Sequence, residues 1–166
     1  MSDVETLARE LRELTARRDI YDAVCRYMRG QDRLLPDLQM SAFHEDARVD
    51  CGLFAGSAAE FVEFAQGFLG NLKSSHHLIG QADIQVDGDK ATGEVYFIAH
   101  HRLVEDGEEK DLFVSGRYRD RYENRGDGWK IADRRELVDW ARTDPAADAF
   151  LADNPSIILG RRGRDG

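Results

Sequence analysis

The spacing of apolar residues changes once along this chain, and that change restricts the possible folds more than any other feature. Before His76, apolar side chains recur every three or four positions, which is typical of helices that bury one face. From His76 onward the chain is rich in Val, Ile, Tyr and Phe, and turns at residues 87–88, 105–111 and 125–128 divide it. The pattern predicts four consecutive antiparallel strands. Helices followed by such a meander indicate an α+β domain, in which one curved sheet wraps around the early helices.

The first predicted helix begins at a capping box, since Ser2 is followed three residues later by Glu5. Apolar residues at positions 7, 11, 14, 21, 24 and 28 share one stripe, so we expect a single long amphipathic helix. Gly30 and Pro36 both oppose a regular continuation of this helix. Asp32 is therefore expected at the helix end or just beyond it.

Three shorter elements are expected before the meander. Residues 38–43 predict a short helix, residues 47–51 a brief strand, and residues 58–72 a third helix that Ser57 caps. Aromatic and aliphatic residues at helical spacing form a stripe along this third helix, which we interpret as core. The stripe consists of Phe61, Phe64, Phe68 and Leu72.

Length and composition limit the classes of function. The 166 residues suffice for one hydrophobic core, and we expect a domain over residues 1–142 with an irregular tail over 143–166. A net charge of -9 opposes binding to a nucleic-acid backbone. The chain contains no apolar stretch of the roughly 20 residues that a membrane span needs, and its acidic N-terminus is unlike a signal peptide. We expect a cytoplasmic protein without nucleic-acid or membrane partners, in which Cys25 and Cys51 are reduced and structural and no metal is bound.

Three groups of residues have the chemistry to move protons: Asp32, the pair His76-His77 and the pair His100-His101. Neighbouring side chains on a strand point to opposite faces, so at most one histidine of each pair enters a given cavity. Histidine titrates near neutral pH and can act as a base when a carboxylate fixes its tautomer, a role open to Asp32. The alternative, that Asp32 caps a helix and the histidines are solvated or satisfied within the sheet, stays open on residue types alone.

Arginine and tyrosine alternate along the third predicted strand of the meander. Arg117, Arg119 and Arg121 share one face, which we expect to meet solvent or another subunit. Tyr118 lies on the inner face, where its hydroxyl can donate a hydrogen bond to a ligand oxygen or to the backbone. Arg134 on the last strand presents a similar choice between a ligand contact and surface charge.

Four segments together resemble the nuclear transport factor 2-like superfamily. They are Tyr27-Met-Arg-Gly-Gln-Asp32, Ser75-His-His-Leu-Ile-Gly80, Gly116-Arg-Tyr-Arg-Asp-Arg-Tyr122 and Asp127-Gly-Trp-Lys-Ile131. Their order is that of the family, and the resemblance covers residues 4–142. Within the superfamily the chain is most similar to the SnoaL-like group, which contains scytalone dehydratases, hexachlorocyclohexane dehydrochlorinases and bile-acid dehydratases. The resemblance implies a cone-shaped α+β barrel, with a strongly curved mixed or antiparallel sheet around N-terminal helices, that forms trimers or dimers.

The resemblance also implies site residues. In the dehydratase and dehydrochlorinase branches, an aspartate after the first long helix and a histidine opening a sheet strand form a proton-abstracting pair, and these positions match Asp32 and His77. By the same resemblance His100, Arg134 and Tyr27 would contact substrate, together with Tyr118. The serine and asparagine that assist scytalone dehydratase are replaced here, and the lysine of the dehydrochlorinase is missing, so neither substrate is transferred.

The expected function is that of a cofactor-independent lyase. Its simplest form is a dehydratase that acts on a small, largely apolar hydroxylated compound of aromatic, polyketide or steroid-like type. The same proton-moving pair would also serve a formaldehyde-releasing retro-aldol lyase acting on lignin-derived diaryl compounds, or an isomerase. A further alternative is a ligand-binding or assembly module without catalysis, because this fold also carries such functions.

Overall fold

The computed structural model describes residues 2–164. Its elements in chain order are α1 (Asp3–Asp32), α2 (Pro36–Met40), β1 (Phe43–Asp50), β2 (Ala55–Ser57), α3 (Ala58–Gly70), β3 (Ser74–Asp87), β4 (Lys90–Glu105), β5 (Glu108–Asn124), β6 (Trp129–Pro145) and α4 (Ala149–Asp153). The α+β order and the four-stranded meander are confirmed. The short second helix is displaced from its predicted position, since β1 already begins at Phe43, and β2 was not predicted.

The six strands form one mixed sheet in the order β2-β1-β6-β5-β4-β3. Strands β3 to β6 pair antiparallel with their neighbours, whereas β1 runs parallel to β6. The sheet is irregular between β5 and β6, where the register shifts between Ser115 and Gly116. A Cβ at Gly116 would lie 2.2 Å from the carbonyl oxygen of Leu137, so only glycine allows this close approach. The sheet does not close on itself, and the helices pack into the hollow of the cone without filling it.

Helix α1 begins as predicted, with Ser2 and Glu5 forming both hydrogen bonds of the capping box. Its second half packs into the core through Ile20, Val24 and Tyr27, none of which is exposed. The prediction of one continuous buried stripe is wrong for the first half, because Leu7, Leu11 and Leu14 are all more than 60% exposed. A 30-residue helix is about 45 Å long, and only the part from Ala16 onward meets the core.

Helix α3 carries the second capping box, in which Ser57 and Glu60 exchange hydrogen bonds. Phe61 is buried in the core, as the stripe predicts. The core interpretation is wrong for Phe64 and Phe68, which are 39% and 47% exposed. Both rings instead form part of the wall of a partly open cavity.

The segment after β6 returns to the body of the domain. Arg102 on β4 pairs with Asp148 just before α4, which holds the beginning of this segment against the outer face of the sheet. Further on, the backbone N–H of Gly163 donates to the carbonyl of Arg33 at 2.8 Å. The Arg162 guanidinium donates to the carbonyl of Leu69 at 3.0 Å. The tail is thus packed against the ends of α1 and α3. Among the described residues, no helix is long and apolar enough to cross a membrane.

Candidate active site

A buried ion pair occupies the inside of the cone below the cavity. The Nε and Nη2 atoms of Arg134 donate to the two carboxylate oxygens of Asp120 at 2.9 and 2.6 Å, and neither side chain is exposed. The guanidinium also lies between the rings of Tyr27 and Tyr118, at 4.2 and 4.0 Å from their centroids. Tyr122 donates a further hydrogen bond to Asp120. Close contact with aromatic rings together with bidentate pairing to a carboxylate allows a guanidinium to be buried.

This arrangement corrects the placement of two predicted substrate contacts. Arg134 and Tyr27 are both fully buried and lie outside the set of side chains that line the cavity. Asp120 already binds Nε and Nη2 of Arg134, while the buried Nη1 has no hydrogen-bond partner among residues 2–164. Tyr27 is covered by Phe43, Phe61 and Arg134. Both residues support the cavity from below.

Asp32 and His77 meet at one side of the cavity. Asp32 is the last residue of α1, and its Oδ2 atom accepts the backbone N–H of His77 in β3 at 3.0 Å. The other carboxylate oxygen lies 2.6 Å from Nδ1 of the His77 ring. A carboxylate accepts hydrogen bonds, so the proton of the neutral ring lies on Nδ1 and the lone pair on Nε2. The two side chains are only 15% and 6% exposed.

His77 forms part of the wall of a cavity of about 430 Å³. Most of the wall is apolar, and it includes Phe61, Phe64, Phe68, Leu69, Phe97 and Val114. Five polar side chains interrupt it: Gln31, His77, His101, Tyr118 and Glu136. A cavity of this size, with apolar walls and a few polar groups, is typical of a site for a small organic molecule.

The structure resolves which histidine of each pair faces inward. His77 and His101 line the cavity, and their ring centroids are 5.3 Å apart. Burial, followed by the proximity of His77, lowers the pKa of His101 to about 4, so this ring is neutral at neutral pH. His76 is exposed on the opposite face.

The expectation that His100 faces the pocket is wrong. Its Nε2 atom lies 2.7 Å from a carboxylate oxygen of Asp111, and its ring packs against Phe113. These neighbours belong to the outer face of the sheet, because Val95, Phe97 and Ala99 take the alternate, buried positions of β4. His101 is therefore the second histidine of the cavity.

Tyr118 is placed as expected, with its ring in the cavity wall and stacked on Phe97 at 4.5 Å. Burial holds the pKa of its phenol well above the ordinary value, so the hydroxyl keeps its proton. The Tyr118 hydroxyl is therefore a donor and never a base in this site.

Sequence reasoning missed Glu136 and Gln31. Glu136 lies in β6 two residues after Arg134, so the period of two that brings Arg134 inside also brings Glu136 inside. That alternation was the available signal, and it was overlooked because a glutamate on a strand is usually solvated. Burial raises the pKa of the Glu136 carboxyl, against the opposing effects of Arg134 and His77. Gln31 offered no signal beyond its position next to Asp32.

No group of three or more His, Cys, Asp or Glu side chains within residues 2–164 is arranged to hold a metal ion. Cys25 and Cys51 are both free thiols, as predicted. Burial raises the pKa of each, which keeps them protonated.

The model of the SnoaL-like domain family matches residues 12–135. No curated protein sequence matches the chain significantly. Among solved structures, the protein Kfla4162 from Kribbella flavida is 20% identical with a TM-score of 0.71, and the match covers 78% of this chain and 95% of that one.

Two further structures carry names that state an activity. A putative scytalone dehydratase from Novosphingobium aromaticivorans is 19% identical with a TM-score of 0.70, over 81% of this chain and 91% of its own. The hexachlorocyclohexane dehydrochlorinase LinA-type3 from Novosphingobium barchaimii is 20% identical with a TM-score of 0.66, over 88% of this chain and 95% of its own. At such identities the likeness shows that the fold is shared.

Proposed function

This chain belongs to the SnoaL-like domain family, and we propose that it is a cofactor-independent dehydratase. Its substrate would be a small, largely apolar hydroxylated molecule, and His77 backed by Asp32 would remove the proton. One observation carries the proposal, namely the contact of 2.6 Å between Asp32 and Nδ1 of a histidine whose ring borders an apolar cavity. The shared fold of the structures named as a putative scytalone dehydratase and as a dehydrochlorinase supports a lyase.

In this proposal each member of the pair has a defined task. Asp32 accepts from both the ring and the backbone N–H of His77, which fixes the tautomer and the orientation of the imidazole. The carboxylate would also stabilise the imidazolium that forms when Nε2 takes a proton. Because the surrounding walls are apolar, the effect of this carboxylate is stronger than it would be in water.

The remaining polar groups supply donors around the reacting atoms. Tyr118 keeps its proton and can donate to a substrate oxygen, and neutral His101 can donate or accept. The aromatic wall from α3, with Phe64 and Phe68, would hold the apolar body of the substrate. Phe64 and Phe68 would then bind substrate rather than serve only as core residues of α3.

The test is to measure the turnover of hydroxylated aromatic, polyketide-like and steroid-like compounds by the wild type and by Asp32→Asn and His77→Ala. Loss of water is followed by mass spectrometry. We expect each substitution to reduce kcat by roughly 10²–10⁴-fold, the usual contribution of a positioned base. Asp22→Asn and His76→Ala are matched controls, because both residues are exposed in the same helix and strand.

Near-normal turnover in both dyad variants would refute the proposal. If the wild type binds members of the panel in the cavity but converts none, the alternative of a ligand-binding module would be supported instead. Conversion without loss of mass would indicate an isomerase, and release of formaldehyde a retro-aldol lyase. Circular dichroism of each variant shows whether the fold is retained.

A further inference from the structure

Among the described residues, Glu136 is the one carboxyl group in the cavity wall, and the proposed pairing of Asp32 with His77 gives it no role. It lies opposite Tyr118 in the register of β5 and β6, on the inner face of the sheet. Within residues 2–164, its carboxyl forms neither a hydrogen bond nor an ion pair, in contrast to Asp120 below it. A buried carboxyl without a partner is costly when ionised and acceptable when protonated.

The electrostatic surroundings favour the protonated carboxyl. The titratable groups that interact electrostatically with Glu136 lie on α1, β3, β5 and β6 and at the end of β1. They are Tyr27, Cys51, His77, Tyr118 and Arg134. Arg134 is the only permanent cation among them, and its charge is already balanced by Asp120. Burial therefore outweighs the attraction to Arg134 and His77, and the pKa of Glu136 is raised.

His77 and Glu136 belong to β3 and β6, at opposite ends of the four-stranded meander. The curved sheet brings both side chains into one cavity, so a small molecule bound there contacts both. One side of the cavity thus presents an imidazole backed by a carboxylate, and another presents a carboxyl group whose pKa is raised. This is the arrangement that an elimination needs when its leaving group departs with a proton.

We propose that Glu136 is the general acid of this site and that the leaving group is a hydroxyl β to a carbonyl group. The proposal rests on the proposed function. Nε2 of His77 takes the proton from the carbon next to the carbonyl, and the electron pair of that C–H bond forms the C=C bond. The C–O bond breaks with its pair on oxygen, and the Glu136 proton converts the departing hydroxide into water. His77 is left as a cation and Glu136 as an anion, and the proton returns from one to the other through solvent.

The cavity wall also fits a hydroxyl better than a leaving group that departs as a small anion with localised charge. No Lys or Arg side chain from the described part of the chain lines it, so a halide or carboxylate would leave without a cation to receive it. A hydroxyl needs a proton rather than a cation. The carbonyl is required because an imidazole is too weak a base to remove a proton from unactivated carbon.

The experiment compares two probes with the same aryl body, a β-hydroxy ketone and a β-(para-nitrophenoxy) ketone. The nitrophenolate leaves without protonation and is followed by its colour, whereas the alcohol depends on the acid. We expect Glu136→Gln to lower kcat for the hydroxy ketone by roughly 10²–10⁴-fold and for the nitrophenoxy ketone by less than about tenfold. Glu108→Gln, in which an exposed glutamate of β5 undergoes the same change, should leave both rates as in the wild type.

Equal losses on both probes, or no loss on either, would overturn the role of Glu136. Glu136→Asp keeps the carboxyl one methylene further back and should retain part of the hydroxy-ketone activity, which separates loss of the acid from loss of fold. Asp32→Asn and His77→Ala should lose both probes. If those variants keep both activities, or the wild type converts neither probe, the proposed function fails rather than the assignment of Glu136.

Discussion

Asp120→Ala tests whether the buried charge pair holds the cone together. Within residues 2–164, the substitution removes the only carboxylate paired with Arg134, and it leaves a guanidinium with no exposed surface close to two tyrosine rings. It also removes the acceptor of the Tyr122 hydroxyl. The change in side-chain volume is small, so the effect is electrostatic rather than one of packing.

The expected loss follows from the burial of both partners. Removing one member of a buried ion pair usually costs about 3–5 kcal/mol, because the remaining charge cannot be solvated. A domain of this size has a total stability of about 5–15 kcal/mol, so Asp120→Ala should leave it marginally folded. The double variant Asp120→Leu/Arg134→Met, which removes both charges and fills the space, should recover most of that loss.

Urea unfolding followed by far-UV circular dichroism measures these differences. Asp139→Ala is the matched control, because Asp139 pairs with Arg117 on the outer face of the same sheet, where both groups are partly solvated. Its loss should be a small fraction of that of Asp120→Ala. If the two variants lost the same small free energy of unfolding, the buried pair would contribute no more than a surface pair, and the reasoning would be refuted.

Three further predictions concern packing and pH. Gly116→Ala should destabilise the domain by about 1–3 kcal/mol or more, since its Cβ would collide with the carbonyl of Leu137. Gly70→Ala should not, because the space around the new Cβ is open. Thermal unfolding distinguishes the two variants. Phe61→Ala should cost about 3–5 kcal/mol and Phe68→Ala much less, because only Phe61 is enclosed by core; equal losses in urea would contradict the division of this stripe. The pKa of His101 falls from 6.5 to about 4 on folding. The stability that depends on its neutral ring is therefore complete above pH 6.5, and about 3 kcal/mol of the free energy of unfolding is lost as the pH falls to 4. His101→Gln should lack that part of the acid sensitivity, and parallel stability curves for the two proteins would show that the ring is not buried as a neutral group.

The strands of the meander were predictable because their signals are local. A turn such as Asp87-Gly88 and a run of β-branched residues act within a few positions, and both survive folding unchanged. The contact between Asp32 and His77 is of another kind. Nothing in their spacing brings a helix end to a strand 45 residues away, and resemblance to a family supplied the pairing that residue chemistry left open.

The apolar composition of both faces of β4 explains why the prediction for His100 was wrong. Alternation along a strand requires that one histidine of the pair faces inward. Which of the two does so can be predicted only when one face of the strand is clearly more apolar than the other. In β4 both faces are apolar, since Tyr96 and Ile98 lie on the outside as Val95 and Phe97 lie on the inside. The alternation therefore did not show which face of β4 is buried. The apolar stripe of α1 likewise did not show where burial begins, because it includes Leu7 and Leu14, which lie beyond the end of the core.

Arg134 was predicted to contact substrate and Glu136 was not predicted inside at all. Burying a single charge is unfavourable, and that penalty is reduced in a different way for each of these two residues. Arg134 is neutralised by a partner on the neighbouring strand, at a register position that sequence spacing does not reveal. Glu136 has no hydrogen-bond or ion-pair partner among residues 2–164, and burial raises its pKa, which favours the protonated form. The charges of Asp120 and Arg134, in contrast, are paired with each other. A proton that passes from substrate to His77 would create charge where Asp32 can stabilise it.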